Sequence, residues 1–226
     1  MRRMDACSKR GFSVNRQRRA NWARCNRCAE PMKLALVTTL FSMIALSACV
    51  AATSPKDAND LPAMRWDHRP EGNEWTISSM SVVALQDDRL AEQVPADIEG
   101  WCPGYQEASL EDRRAFWVGL LSATAKHEST WNPKASGGGG KWIGLMQIDP
   151  RTARNYGCKA TTSAELKNGS ANLACAIRIM SAQVAKDGMV AGNGSKGIGR
   201  DWAPFRNAKK RAEMASWTKT QSYCQS

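Results

Sequence analysis

Glu128-Ser129 opens the stretch that most restricts what this chain can fold into. Asn132-Pro133-Lys134-Ala135 follows, then four glycines from Gly137 to Gly140, then Gly144-Leu145-Met146-Gln147-Ile148-Asp149-Pro150-Arg151-Thr152-Ala153, all within 26 residues. A helix running into this block has to stop before Asn132-Pro133, because proline keeps the residue before it out of the helical region. Helix can resume at Asp149-Pro150, where Asp149 supplies an N-cap and Pro150 fills the first helical position. Upstream, Ser109 and Asp112 have capping-box form, and Phe116, Leu120, Leu121 and Ala125 recur at helical spacing. Glu128 is therefore expected near the C-terminal end of an apolar helix. Desolvation and the negative end of the helix dipole both favour a protonated carboxyl there.

The remaining elements read as mostly helical. The Asp149-capped helix is short and ends at Gly157. A further helix is expected over about 170–187, with Leu173, Ile177, Met180 and Val184 as its core stripe and Gly188 as its stop. A last, strongly charged amphipathic helix is expected over about 207–217. Residues 136–141 and 188–200 read as glycine-rich loops. The compact domain is expected to span 98–226, and residues 49–97 to form a poorly ordered tether. Within that tether, the segment from Trp75 to Leu85 reads as a possible short strand.

The block from Glu128 to Ala153 resembles the soluble-lytic-transglycosylase (SLT) domain, a lysozyme-like fold that cleaves the glycan strands of bacterial peptidoglycan. The resemblance spans roughly residues 109–187. It implies a mainly α, lysozyme-like domain with long loops, with Glu128 as general acid and base and no metal or cofactor. It implies substrate contacts from Ser129, Gly144, Met146 and Gln147, the last three on a Gly-Leu-Met-Gln strand lining the cleft. For Met146 a core role, and for Ser129 a hydrogen bond at the helix end, are equally open readings. In this family the N-acetylmuramic acid 6-hydroxyl attacks its own anomeric carbon and leaves a 1,6-anhydro end, so one carboxyl suffices. Asp149 is the only other acid between Glu128 and Glu165, and its cap position gives it a structural task. His127 reads as exposed or packed. Trp131 and Trp142 read either as sugar-stacking rings or as core. One departure stands out: the family's late Ala-Tyr-Asn-x-Gly element is replaced by Val190-Ala191-Gly192-Asn193-Gly194, without tyrosine.

The N-terminus reads as an export signal. Met32-Lys33 precedes an apolar run from Leu34 to Leu46, which ends in Leu46-Ser47-Ala48-Cys49. That run is shorter than the roughly 20 residues a membrane span needs, and it fits a secretory signal peptide over 32–48. Leu-Ser-Ala-Cys resembles a bacterial lipobox, which implies cleavage before Cys49 and a lipid on its thiol. Val50 in the next position favours the periplasmic face of the outer membrane. A signal beginning at Met32 makes residues 1–31 a mis-assigned extension. Cys25 and Cys28 are then no zinc half-site; a structural zinc needs four ligands and no second C-x-x-C exists.

Charge follows the same division. The first 49 residues hold 10 basic and 2 acidic residues; the remainder holds 22 and 19, so only +3 of the total +11 belongs to the exported part. A mildly basic exported domain suits a polyanionic wall and gives no reason to invoke nucleic acid. Four cysteines remain after Cys49: Cys102, Cys158, Cys175 and Cys224. An even number in an exported chain points to disulfides. Three pairings are open, of which Cys158–Cys175 with Cys102–Cys224 is expected: the first closes a local loop, the second ties the tail to the front of the domain. Taken together, the reading is a monomeric, membrane-anchored enzyme acting on peptidoglycan glycan strands. A hydrolytic muramidase and a non-catalytic peptidoglycan-binding lipoprotein are the alternatives.

Overall fold

The computed structural model describes residues 60–225. The signal peptide, Cys49, Cys25, Cys28 and the first part of the tether lie outside the described residues.

The described chain is mainly helical with one two-stranded hairpin. Its elements run α1 (Gly72–Ala84), α2 (Leu110–Glu128), β1 (Ser136–Gly137), β2 (Trp142–Ile143), α3 (Pro150–Asn155), α4 (Ser163–Leu166), α5 (Gly169–Asp187) and α6 (Ala208–Lys219). Helix α1 packs on α2 and α5, and α6 also packs on α2. Among the described residues no helix is long and apolar enough to cross a membrane.

Helix α2 is the centre of the core. Every residue from Ala115 to Ala125 is buried, so the apolar face expected from Phe116, Leu120, Leu121 and Ala125 is one side of a helix covered all round. Small residues make this possible: a Cβ on Gly119 would lie 2.2 Å from the Tyr223 hydroxyl, and Ser122 accepts from the Arg65 N–H at 3.0 Å. Ser122 and Thr124 satisfy their hydroxyls on the helix's own carbonyls. Ser109 caps the start, accepting from the Asp112 N–H at 3.1 Å. The Asp112 carboxylate accepts the Ser109 hydroxyl at 2.7 Å instead of reaching back to a backbone amide.

Residues 60–97 are not a tether. They form the first layer of the domain: Trp66, Trp75, Val83 and Leu90 are buried, and the two indoles meet edge to face at 5.9 Å. The Trp66 indole N–H donates to the Thr76 hydroxyl at 2.9 Å. The segment expected as a strand is α1. Its serines and β-branched residues are poor helix formers, and burial against α2 and α5 overrides that local preference.

Both expected disulfides are present, Cys102–Cys224 across 122 positions and Cys158–Cys175 across 17. In a chain-entropy account, loops of such lengths are worth about 5 and about 3 kcal/mol. The longer link fastens the tail beside α2, where Tyr223 lies against Gly119.

Candidate active site

Glu128 is the last residue of α2, and Ser129 caps the end. The chain leaves the helix before Asn132-Pro133, through two non-glycine residues in the left-handed region, Thr130 (φ 52°) and Trp131 (φ 56°). Each such residue costs on the order of 1–2 kcal/mol and persists only where its surroundings hold it. Here Trp131 is held by its indole N–H, which donates to the Ser122 carbonyl at 2.9 Å, and by an edge contact with His68 at 4.6 Å. Of its two open roles, this gives Trp131 the packing one.

Gly144 to Gln147 form a tight turn, not a strand. Ile143 and Ile148 exchange backbone hydrogen bonds at 3.1 and 2.9 Å on either side of it. Of the loop expected over 136–141, residues 136–137 are strand β1 and residues 138–141 are the tip of the β1–β2 hairpin. Three side chains clamp the turn. Asn172 of α5, fully buried, donates to the carbonyls of Ile143 and Leu166 at 3.0 Å each and accepts from the Met146 N–H at 2.9 Å. The Trp202 indole donates to the Met146 carbonyl at 2.9 Å. The Ser129 hydroxyl donates to the Leu145 carbonyl at 2.9 Å, which fastens the turn to the residue beside Glu128.

This clamp reassigns two residues expected to touch substrate. Gly144 is buried at φ +79°, and a Cβ there would lie 2.2 Å from the Leu166 carbonyl oxygen and 2.4 Å from the Asn172 amide. Its reason for being glycine is the close approach of the end of α4 and of Asn172 on α5. The Met146 side chain is fully buried, so it packs behind the turn and offers no surface to a sugar. Ser129 acts as the tie at the helix end. Gln147 stays half-buried, with its amide N–H₂ donating to the Gly144 carbonyl at 2.9 Å. Trp142, on the hairpin, is 46% exposed.

Burial dominates the electrostatics of Glu128. It raises the carboxyl from 4.5 to about 7, against a smaller opposing pull from the Lys210 ammonium of α6. The Glu128 carboxyl makes no hydrogen bond or ion pair with any described residue. Its neighbours in the last turn are engaged elsewhere. Lys126 donates to Glu213 at 2.8 Å and the His127 ring meets the same carboxylate at 2.9 Å. Arg65 adds a two-pronged contact to it at 2.6 and 2.9 Å. Arg65 above all holds Glu213 well below the usual carboxylate range. His127 is thus a packed partner of α6. Asp149 accepts from the Arg151 N–H at 2.7 Å as the cap of α3, and that hydrogen bond lowers its pKa. A carboxylate so held is a poor proton donor near neutral pH.

The segment without tyrosine is held by another acid. Asp97 accepts from the backbone N–H groups of Val190, Ala191 and Gly192 at 2.6, 3.0 and 2.7 Å. Asn193 is exposed and accepts the Ser195 hydroxyl at 2.7 Å. Tyr156 accepts from Gln183, and Tyr223 donates to the Ala63 carbonyl; neither bonds to Glu128. Among the described residues no group of three or more His, Cys, Asp or Glu is placed to hold a metal ion.

Asn172, Trp202, Lys210 and Glu213 were missed as contributors to the site. Only Asn172 had a readable signal, an amide directly beside the apolar stripe of α5.

Residues 107–214 match the family model of the Transglycosylase SLT domain. Among solved structures, the chain is similar to Bd0314 DslA in a wild-type form, with 27% identity and a TM-score of 0.66 over 73% of this chain and 98% of that one. A glutamate-to-glutamine variant of the same protein matches at 25% identity and a TM-score of 0.65, over 76% of this chain and all of that one. A comparison with curated proteins finds no match.

Proposed function

We propose, from a chain whose residues 107–214 form a transglycosylase SLT domain, that this protein is a peptidoglycan lytic transglycosylase using Glu128 as acid and then base. The observation that carries the reading is the state of Glu128: a half-buried carboxyl without a hydrogen-bond partner, raised to about 7. A general acid works best when its pKa lies near the operating pH. Glu128 would protonate the oxygen leaving the anomeric carbon of N-acetylmuramic acid as that bond breaks. The resulting carboxylate would then take the proton of the 6-hydroxyl as its oxygen closes onto the same carbon. Atoms balance without water, metal or cofactor, and the product ends in 1,6-anhydro-N-acetylmuramic acid. Lys210 supports the second half, because an ammonium nearby stabilises the carboxylate formed in the first.

A hydrolytic muramidase needs a second carboxylate facing the first across about 5–9.5 Å. The charged group acting on Glu128 is a lysine, and Asp149 and Glu213 are committed to a helix cap and to an ion-pair cluster. This favours the intramolecular nucleophile. A lipid on Cys49, anchoring the enzyme at the periplasmic face of the outer membrane, belongs to the same proposal; the mass of the mature N-terminal peptide tests it.

The deciding experiment is mass spectrometry of purified peptidoglycan digested with the protein and with Glu128→Gln. Anhydro-ended products that fall about 10²–10⁴-fold in rate with the variant support the reading. Products heavier by one water establish a hydrolase. A folded wild-type protein giving no products leaves the non-catalytic binding reading.

A further inference from the structure

Trp142 is a large apolar side chain left open at the surface, and it does not stand alone. It lines a cavity of about 90 Å³ together with Gln147, Asp149, Thr152, Asp201 and Trp202. A lone exposed apolar residue carries no meaning. Here the hairpin is built around the ring. A Cβ on Gly138 would lie 2.5 Å from the indole, and Gly138 sits at φ +56°, so glycine at the tip lets the ring lie along the turn. The Lys141 ammonium lies 5.6 Å from the ring centre. The second indole, Trp202, is buried and fixed by its bond to the Met146 carbonyl.

The cavity shares the clamped turn with Glu128. Gln147 lines the cavity, and Leu145 two residues earlier is bonded to Ser129, the neighbour of Glu128. A glycan strand held at Glu128 and passing over this turn on its hairpin side would meet Trp142. The chemistry fits a pyranose: a half-exposed indole for ring C–H groups, and acceptors for hydroxyls in a shallow recess. Asp149 and Asp201 each accept protein donors, at 2.7 Å from the Arg151 N–H and 2.7 Å from Gln183, and a carboxylate has about four acceptor sites. The recess is too small for a sugar ring, well below the roughly 300 Å³ of an ordinary ligand pocket. It admits a ring substituent while the ring itself lies on the indole.

We infer that Trp142 and this recess form a sugar subsite on the hairpin side of the turn, which binds a glycan unit away from the bond being cut and makes the enzyme favour long strands. This rests on the glycan-cleaving reading above and adds a residue that grips substrate without touching the reacting atoms.

The test uses the full chain, with binding and cleavage read separately. Peptide-free glycan strands of graded length are titrated by calorimetry into Glu128→Gln and into Glu128→Gln with Trp142→Ala. Long strands should bind about tenfold more weakly without the indole, the loss expected for one good contact, and short strands should change less. Trp142→Phe should keep most of the affinity. In the active background, KM for long strands should rise with Trp142→Ala while kcat moves little. Equal affinity at every length with and without Trp142, or a loss that ignores strand length, overturns the inference, as does absence of binding by Glu128→Gln to any strand. Full lytic activity in Glu128→Gln alone would sink the catalytic reading instead, whatever the titrations give.

Discussion

Replacing Glu128 by glutamine should make the protein more stable, and by an amount that depends on pH. The carboxyl moves from 4.5 to about 7 on folding because burial disfavours its charge. Below the lower value both native and unfolded chains hold the proton; above the upper value neither does. Between them the native chain binds more protons, so stability falls as pH rises. At about 1.36 kcal/mol for each pH unit between 4.5 and about 7, the loss is about 3 kcal/mol, complete above about pH 8. Glutamine has no proton to lose. The stability difference between variant and wild type should therefore grow by about 3 kcal/mol from about pH 4 to about pH 8. For a domain of this size that is roughly 6–12 °C in melting temperature. Changes in packing or hydrogen bonding caused by the substitution are the same at both pH values and cancel in the double difference. Urea denaturation of both proteins at the two pH values, with disulfides intact, measures it. A gap that does not change with pH would mean that Glu128 is well solvated in the folded protein. Glu128 would then have no means of holding a proton near neutral pH.

The remaining predictions concern the supports of Glu128. The alkaline limb of the pH–rate profile should fall near pH 7, and Lys210→Met should move it upward, because the lysine holds the carboxyl down; a profile unmoved by the substitution removes Lys210 from the site. Asn172→Ala should cost about 3 kcal/mol in denaturant unfolding, since it strands the buried Met146 N–H and the Leu166 carbonyl and takes from the Ile143 carbonyl one of its two donors, the other being the Ile148 N–H. A loss below about 1 kcal/mol would show that the turn holds its shape without the clamp.

The supports of Glu128 lie on three segments far apart in sequence. Arg65 comes from the first layer, Lys126 and His127 from α2, and Glu213 from α6, 87 positions beyond Lys126. They bond at one carboxylate, next to a helix end that leaves through two left-handed residues. A backbone held in that conformation needs such support. The C-terminal helix thus does two things at the site: Glu213 pins the turn that carries Glu128, and Lys210, one helical turn away on the same face of α6, acts on the carboxyl itself.

What the sequence determined by itself was whatever depends on neighbours along the chain. Ser109, Asp149 and Gly188 end or begin helices as read, because a cap is a bond across two or three residues. The block from Glu128 to Ala153 pointed to the fold; four cysteines left three pairings open, and the fold selects the expected one by bringing Cys102 to Cys224 and Cys158 to Cys175. Tertiary structure decided whatever depends on distant segments. Whether 60–97 is a tether or a layer rests on the space α2 and α5 leave for Trp66 and Trp75, and no local pattern encodes that space. Gly144 and Met146 look like cleft residues in a motif, but Asn172 and Trp202, 26 and 56 positions beyond Met146, turn them into parts of a clamp. The raised pKa of Glu128 belongs to both levels: the helix end is written locally, while the burial that moves the proton and the lysine that opposes it come from the packing of α6.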